Sequence, residues 1–171
     1  VIGAFFSGVG TRLLGELAFC DPGVESIRRE LIVTGHWTKE QFVNAKRTIR
    51  GYEYKIDSHC TDLSVMRETL IGQREFMLRL LENPNLLEHD TFTGLLMAVF
   101  HLTEELASRS NVLELTEADR LHIATDMKRV YSLLTAEWID YMQHLRENYP
   151  YLFSFAMRTN PFDLSATPEI R

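Results

Sequence analysis

The sequence predicts an all-α fold, namely an antiparallel up-and-down helical bundle of five to six helices with a short C-terminal aromatic segment. Apolar residues recur at gaps of three and four along most of the chain, which is the spacing of a helix that buries one face. Capping motifs, glycines and prolines separate these segments by short turns, and short turns favour antiparallel neighbours. An alternating apolar and polar pattern, which would indicate strands, never continues for more than a few residues.

Length and composition indicate one main folded unit. A chain of 171 residues with 45% hydrophobic content is long enough to bury a single core. We therefore predict an apolar, glycine-rich N-terminal segment (residues 1–20), a helical bundle domain (21–158) and an extended C-terminal tail (159–171).

The net charge of −6 is confined to the second half of the chain. Residues 1–83 carry 11 Lys and Arg against 11 Asp and Glu, whereas residues 84–171 carry 7 against 13. Binding to nucleic acid needs a concentrated basic surface, so this distribution argues against nucleic acid as a partner.

The two cysteines, Cys20 and Cys60, are too few for a disulfide framework or a zinc knuckle. We predict that both are reduced thiols, which is consistent with a cytoplasmic location. The adjacent His59 and Cys60 are predicted to be a loop pair, because no third catalytic partner lies at a recognisable spacing.

The N-terminal segment allows two interpretations. Its apolar run is shorter than the roughly 20 residues that span a membrane, because Arg12 and Glu16 interrupt it, and this favours an ordinary buried helix. The alternative is the last part of a transmembrane helix that begins upstream. That alternative would make the chain the cytoplasmic, membrane-attached part of a prokaryotic membrane protein.

The first half of the bundle domain contains three predicted helices. A short amphipathic helix over 24–33 ends before Gly35, which is a typical residue just past a helix terminus. Thr38 and Gln41 form a capping box that begins a helix extending to about residue 57. The third helix covers 63–81 and is weakened midway by Gly72.

The second half is organised around two helices joined by a polar turn at 111–115. The first covers 91–108, with Asp90 as its predicted cap. The second begins after Thr116 and continues to Tyr149, because Pro150 disfavours helical geometry in the residue before it. Its apolar stripe is formed by Ile123, Met127, Val130, Leu134, Trp138, Tyr141 and Leu145.

Aromatic residues are concentrated after Pro150. Tyr151, Phe153, Phe155 and Phe162 are either a lid packed over the bundle or an exposed interface for a protein partner or for self-association. Inward packing is the commoner fate of such residues, and the interface is the functional alternative.

A group of histidines and carboxylates on the central helices is the one chemical candidate. His101 and Glu105 are four residues apart on the first helix, and His122 and Asp126 are four apart on the second. Side chains at this spacing lie on neighbouring turns of one face, where they could bind iron, manganese or zinc between helices. The group superficially resembles di-iron carboxylate bundles, but it lacks their Glu-x-x-His motif; only Asp119-x-x-His122 approximates it.

Helical phase argues against this metal site. At the helical period, His101 lies about 160° and Glu105 about 120° from the centre of their helix's apolar stripe. These side chains are therefore predicted to face solvent or a further partner, which makes a polar border with His–carboxylate pairs the simpler interpretation.

The sequence contains no nucleotide-binding loop, nucleophile elbow or cysteine-rich metal motif. We therefore predict a non-enzymatic helical interaction, regulatory or oligomerisation domain without a cofactor. The alternative is a metal-binding helical-bundle protein or enzyme that uses His101, Glu105, His122 and Asp126 with Fe, Mn or Zn.

Overall fold

The computed structural model describes residues 1–170, and this part of the chain is helical with no strand, which confirms the predicted all-α class. The α-helices are α1 (Ile2–Phe5), α2 (Thr11–Phe19), α3 (Glu25–Arg28), α4 (Lys39–Arg50), α5 (Leu63–Gly72), α6 (Arg74–Leu81), α7 (Asp90–Ala107), α8 (Glu117–Asn148) and α9 (Pro150–Arg158). A π-helical turn (Phe6–Gly10) joins α1 to α2, and short 3-10 turns follow α3, α6 and α7.

The two long helices α7 and α8 pack against each other at the centre of the molecule. Trp138 and its predicted stripe on α8 are buried, apart from the half-buried Tyr141. Thr116 caps α8 by accepting a hydrogen bond from the amide of Asp119 at 3.1 Å, as its sequence position predicts. His89, rather than the expected Asp90, occupies the capping position of α7, and Asp90 is its first helical residue.

The N-terminal segment consists of α1, the π-helical turn and α2, and its large apolar side chains pack into the core. Phe5, Phe6 and Leu14 are almost completely buried in the core. A side chain at Gly8 would approach the Phe76 ring to 2.7 Å, so this glycine permits close packing against α6. Within residues 1–170, no helix is both long enough and apolar enough to cross a membrane.

Helix α4 ends at Arg50, seven residues before the predicted boundary near residue 57. Residues 52–57 alternate between half-buried and exposed, so this segment is extended rather than helical. Tyr52 and Tyr131 both donate hydrogen bonds to the buried Asp21 carboxylate, at 2.5 and 2.8 Å. These contacts tie the segment to α8 and offset the loss of its helical hydrogen bonds.

The prediction of reduced cysteines is wrong, because Cys20 and Cys60 form a disulfide bond. Their Cα atoms lie 5.4 Å apart although the residues are 40 positions apart in sequence. The Asp57 amide donates to the Cys20 carbonyl at 2.9 Å, so the backbone itself brings the extended segment to the end of α2. Cysteine count alone could not reveal this proximity.

Local breaks divide the chain into more helical segments than the five to six predicted. The predicted 24–33 helix is only α3 and a 3-10 turn, and the predicted 63–81 helix is interrupted at Gln73 beside Gly72. Pro150 starts α9 directly after α8. In the C-terminal tail, Asn160 and Phe162 are buried, and Arg28 donates to the Phe162 carbonyl at 2.7 Å.

Candidate metal centre

The packing of α7 against α8 brings together all four predicted ligand residues. His101 Nε2 lies 3.5 Å from Glu105 Oε1 and 3.4 Å from Asp126 Oδ2. His122 Nε2 approaches the same two oxygens, at 3.5 Å from Glu105 and 3.6 Å from Asp126. Two imidazole nitrogens and two carboxylate oxygens therefore surround one small volume at the edge of the helix pair.

Each carboxylate uses its second oxygen to accept a hydrogen bond from an arginine. Arg109 Nη1 donates to Glu105 Oε2 at 2.8 Å, and Arg129 Nη1 donates to Asp126 Oδ1 at 2.8 Å. Arg109 is itself held by a two-bond contact with Asp119, at 2.6 and 2.7 Å. These contacts fix both carboxylates so that Oε1 and Oδ2 face the histidines, which is how outer residues orient metal ligands.

Asp126 Oδ2 has no hydrogen-bond partner among residues 1–170, although Asp126 is only 3% exposed. A buried charged oxygen without a partner costs free energy, because nothing replaces the water lost on folding. The His101 and His122 rings beside it are half-exposed, so the volume is open to solvent on one side. A cation that entered from that side would satisfy this oxygen.

The electrostatics favour an ionised Glu105 side chain. Hydrogen bonding from Arg109 holds the pKa of Glu105 below its usual range, and His122 lowers it further, against the opposing effect of burial. Hydrogen bonding from Arg109 also lowers the pKa of Asp119. Glu105 is therefore a carboxylate at neutral pH, as metal coordination requires.

The nitrogen–oxygen distances within this group are close to those between neighbouring ligands of a metal ion. With metal–ligand bonds of about 2.0–2.1 Å, neighbouring ligands of a tetrahedral ion are about 3.3 Å apart. The four nitrogen–oxygen distances of 3.4–3.6 Å are close to that value. One ligand atom each from His101, Glu105 and Asp126 lies within 4.8 Å of the other two, whereas His122 is not part of this mutually adjacent trio.

The helical phase analysis could not show which side chains of a second helix lie beside His101 and Glu105. His101 is half-exposed, as its angle from the apolar stripe predicts. Side chains of α8 lie against that same edge of α7. His101 and Glu105 therefore meet His122 and Asp126 there. Sequence reasoning missed Arg109 and Arg129; their positions four residues after Glu105 and three after Asp126 were the available signal.

The predicted aromatic interface is divided by the structure. Phe153 and Phe162 are buried, and Phe162 packs against Trp138 with ring centroids 5.2 Å apart. These two residues are part of the core, as in the lid alternative, and cannot form a surface. Tyr151 and Phe155 are 75% and 53% exposed.

Comparison with known proteins identifies relatives without a described activity. The family model described as "Uncharacterized protein MJ1433, C-terminal helical domain" matches residues 1–158. The chain is similar to "Uncharacterized protein MJ1433" of Methanocaldococcus jannaschii, with 42% identity over 163 residues, or 95% of this chain and 65% of that protein. It thus spans less than two-thirds of the length of the curated relative that it matches. No solved structure matches the chain.

Proposed function

The chain belongs to the family of the C-terminal helical domain of uncharacterized protein MJ1433, and from the geometry of its central helices we propose that it binds one divalent transition-metal ion. The ligands are His101, Glu105, His122 and Asp126. Mixed imidazole and carboxylate ligands suit zinc, iron and manganese. The proposal assigns metal binding and no reaction.

The observation that carries this proposal is the unpartnered oxygen of Asp126. In a simple ion-pair cluster on the protein surface, we expect the buried charged atoms to be the first to have hydrogen-bond partners. Here the most buried oxygen, Asp126 Oδ2, has no hydrogen bond and lies 3.4 and 3.6 Å from two histidine nitrogens. Both arginines bind the other oxygens of the carboxylates. A metal ion would satisfy all four inward-facing atoms at once.

We further propose that α7 and α8 are the antiparallel centre of an up-and-down bundle. Contacts between them run in opposite chain directions, since His101 meets Asp126, Glu105 meets His122 and Arg109 meets Asp119. A metal bound by residues of both helices would clamp this pair. Such a clamp stabilises the folded chain by about 2.7 kcal/mol when the free metal is at 100 times its Kd.

Metal content tests the proposal directly. We expect the protein, purified without chelators and then loaded with Zn²⁺ or Mn²⁺, to retain close to one equivalent after desalting, measured by plasma mass spectrometry. Cobalt substitution should give a visible d–d absorption band that an added chelator abolishes. Less than about a tenth of an equivalent of every metal tried would contradict the proposal.

The neighbouring carboxylate provides a matched control. Glu104 lies beside Glu105 on α7 but pairs with Arg74 at 2.7 Å, away from the ligand atoms. Glu104→Gln should therefore retain the metal, whereas Glu105→Gln should lose it. Equal retention by the two variants would show that Glu105 is not a ligand.

Self-association is a second candidate function, favoured by the exposed aromatic side chains of α9. Tyr151, Leu152 and Phe155 all remain well exposed on this short helix. Large apolar residues grouped on a surface are typical of protein interfaces. We propose that a second copy of the chain covers them, which corresponds to the oligomerisation domain predicted from the sequence.

Light scattering after size exclusion tests this second proposal. We expect the wild-type chain to form a dimer at tens of micromolar concentration and the Tyr151→Ser, Phe155→Ser double variant to be a monomer. Leu113→Ser is the control, because Leu113 is exposed beside the opposite end of α8 and should leave the dimer intact. A strictly monomeric wild-type chain would reject self-association without affecting the metal proposal.

A further inference from the structure

A second recess lies at the other end of α8, away from the candidate metal centre. It has a volume of about 650 Å³ and is enclosed by the N-terminal segment, the residues before α7, the last part of α8 and the start of α9. Its lining is mainly apolar, and the residues that define its chemistry are Ile2, His89, Glu137, Tyr141, Leu145 and Leu152. We call this recess the Glu137 cleft.

Glu137 is the exceptional residue of this cleft. It is 9% exposed and forms no ion pair with any residue in the described chain 1–170, and the Thr91 hydroxyl is the one side chain within hydrogen-bonding reach of its carboxyl group. The adjacent Asp140, in contrast, is paired with Lys46 at 3.0 Å. Burial raises the pKa of Glu137, although the nearby Thr91 hydroxyl and His89 partly offset the rise.

A buried carboxyl group that faces an apolar recess without an ion pair implies a ligand that supplies the missing positive charge. Among residues 1–170, no lysine or arginine lines the cleft, and neither of its histidines, His89 and His144, forms an ion pair with Glu137. A negatively charged ligand would meet Glu88, Glu137 and Asp140 together. A cation would be attracted to them, and the aromatic rings of Tyr141 and Tyr149 would add favourable cation–π contacts.

We propose that the Glu137 cleft binds a small organic cation, namely an alkylammonium compound with an apolar body. The ammonium group donates hydrogen bonds to the Glu137 carboxylate, and the hydrocarbon packs against Leu145 and Leu152. This pairing follows the general rule that ligand recesses combine apolar walls with a few polar groups that fix orientation. The volume accommodates a molecule of metabolite size.

This inference is independent of the proposed metal centre. Asp126 and Glu137 are 11 residues apart on α8, which corresponds to about 16 Å along the helix axis. One ligand cannot contact both residues. Amine binding and metal binding can therefore be measured separately, each with the other ligand absent.

The probe series is n-hexylammonium, 1-hexanol and hexanoate, titrated into metal-free protein and followed by two-dimensional NMR. We expect saturable shifts at cleft residues with hexylammonium and at least about tenfold weaker binding of hexanol, because a desolvated charge pair contributes strongly. Hexanoate should not bind. Equal affinities for hexylammonium and hexanol, or no saturable shift with hexylammonium, would overturn the proposal.

Two variants and one control complete the test. Glu137→Gln keeps the shape of the side chain and should weaken hexylammonium binding at least about tenfold, while Leu152→Trp should obstruct the cleft and leave Glu137 intact. Glu147→Gln changes an exposed carboxylate of the same helix and should bind as the wild type does. Unchanged binding in either cleft variant, with the fold verified by circular dichroism, would contradict the assignment.

Discussion

Replacing Asp126 by asparagine is expected to reduce the affinity for Zn²⁺ or Mn²⁺ by more than about 100-fold, because changes to outer residues alone cost about 10- to 100-fold. Asp126 is the most buried of the four proposed ligands, and its Oδ2 atom faces both histidines. Asparagine has the same shape but lacks the negative charge, so the variant removes a ligand without leaving a cavity. Competition titration with a chromogenic chelator measures the affinity.

The same variant separates a metal centre from a surface ion-pair cluster. In the metal-free protein, the amide group introduced by Asp126→Asn could donate to a histidine nitrogen, so we expect the free energy of unfolding to stay the same or to rise slightly. Added metal should stabilise the wild type and leave this variant unaffected. If the metal stabilises both proteins equally, the ion binds elsewhere and the proposed centre is wrong.

An arginine variant is expected to reduce the affinity for metal less than a ligand variant does. Arg129 donates to Asp126 Oδ1 but does not approach the ligand atoms, so Arg129→Gln should lower the affinity for metal by about 10- to 100-fold, less than the ligand variant does. An effect equal to that of Asp126→Asn would mean that Arg129 supports the local fold rather than the orientation of one carboxylate.

The helical class could be predicted from the sequence because a helix that buries one face has apolar residues at regular gaps of three and four. The stripe around Trp138 specifies which face of α8 turns inward, and Thr116 specifies where the helix begins. The helix ends were less predictable. The apolar residues within 52–57 occur at intervals that also fit a helix. The extended conformation of this segment is stabilised by the hydrogen bond from Tyr52 to Asp21, a long-range contact that the local pattern does not encode.

For the candidate metal centre too, spacing within one helix could be read from the sequence, whereas the packing of the second helix could not. The spacing of His101 and Glu105 indicated residue types that can bind a metal, and helical phase predicted that they lie at an exposed edge of the helix. Whether a second helix borders that edge depends on how α7 and α8 are rotated about their axes, and no local pattern encodes that rotation. The Cys20–Cys60 bond was missed for the same reason, since its partners are 40 positions apart.

Reducing the Cys20–Cys60 bond is expected to lower the free energy of unfolding by about 4 kcal/mol, the chain-entropy value for a closed loop of this length. The bond joins residues 40 positions apart, so it restricts the unfolded chain over nearly a quarter of its 171 residues. A domain of this kind has a total stability of about 5–15 kcal/mol, so the loss is a large fraction of it. Urea denaturation of metal-free protein, with and without a phosphine reductant, measures the difference.

The Cys20→Ser, Cys60→Ser double variant controls for direct effects of the reductant, which should not change its stability. The segment that the bond anchors also contacts α8, because Arg120 donates to the Ser58 carbonyl at 3.1 Å and His59 lies 3.3 Å from Glu117. These contacts and the Asp57–Cys20 backbone hydrogen bond remain after reduction, so the reduced chain should still fold. If reduction leaves the wild-type stability unchanged, the covalent bond adds nothing to those contacts, and the entropic argument fails for this loop.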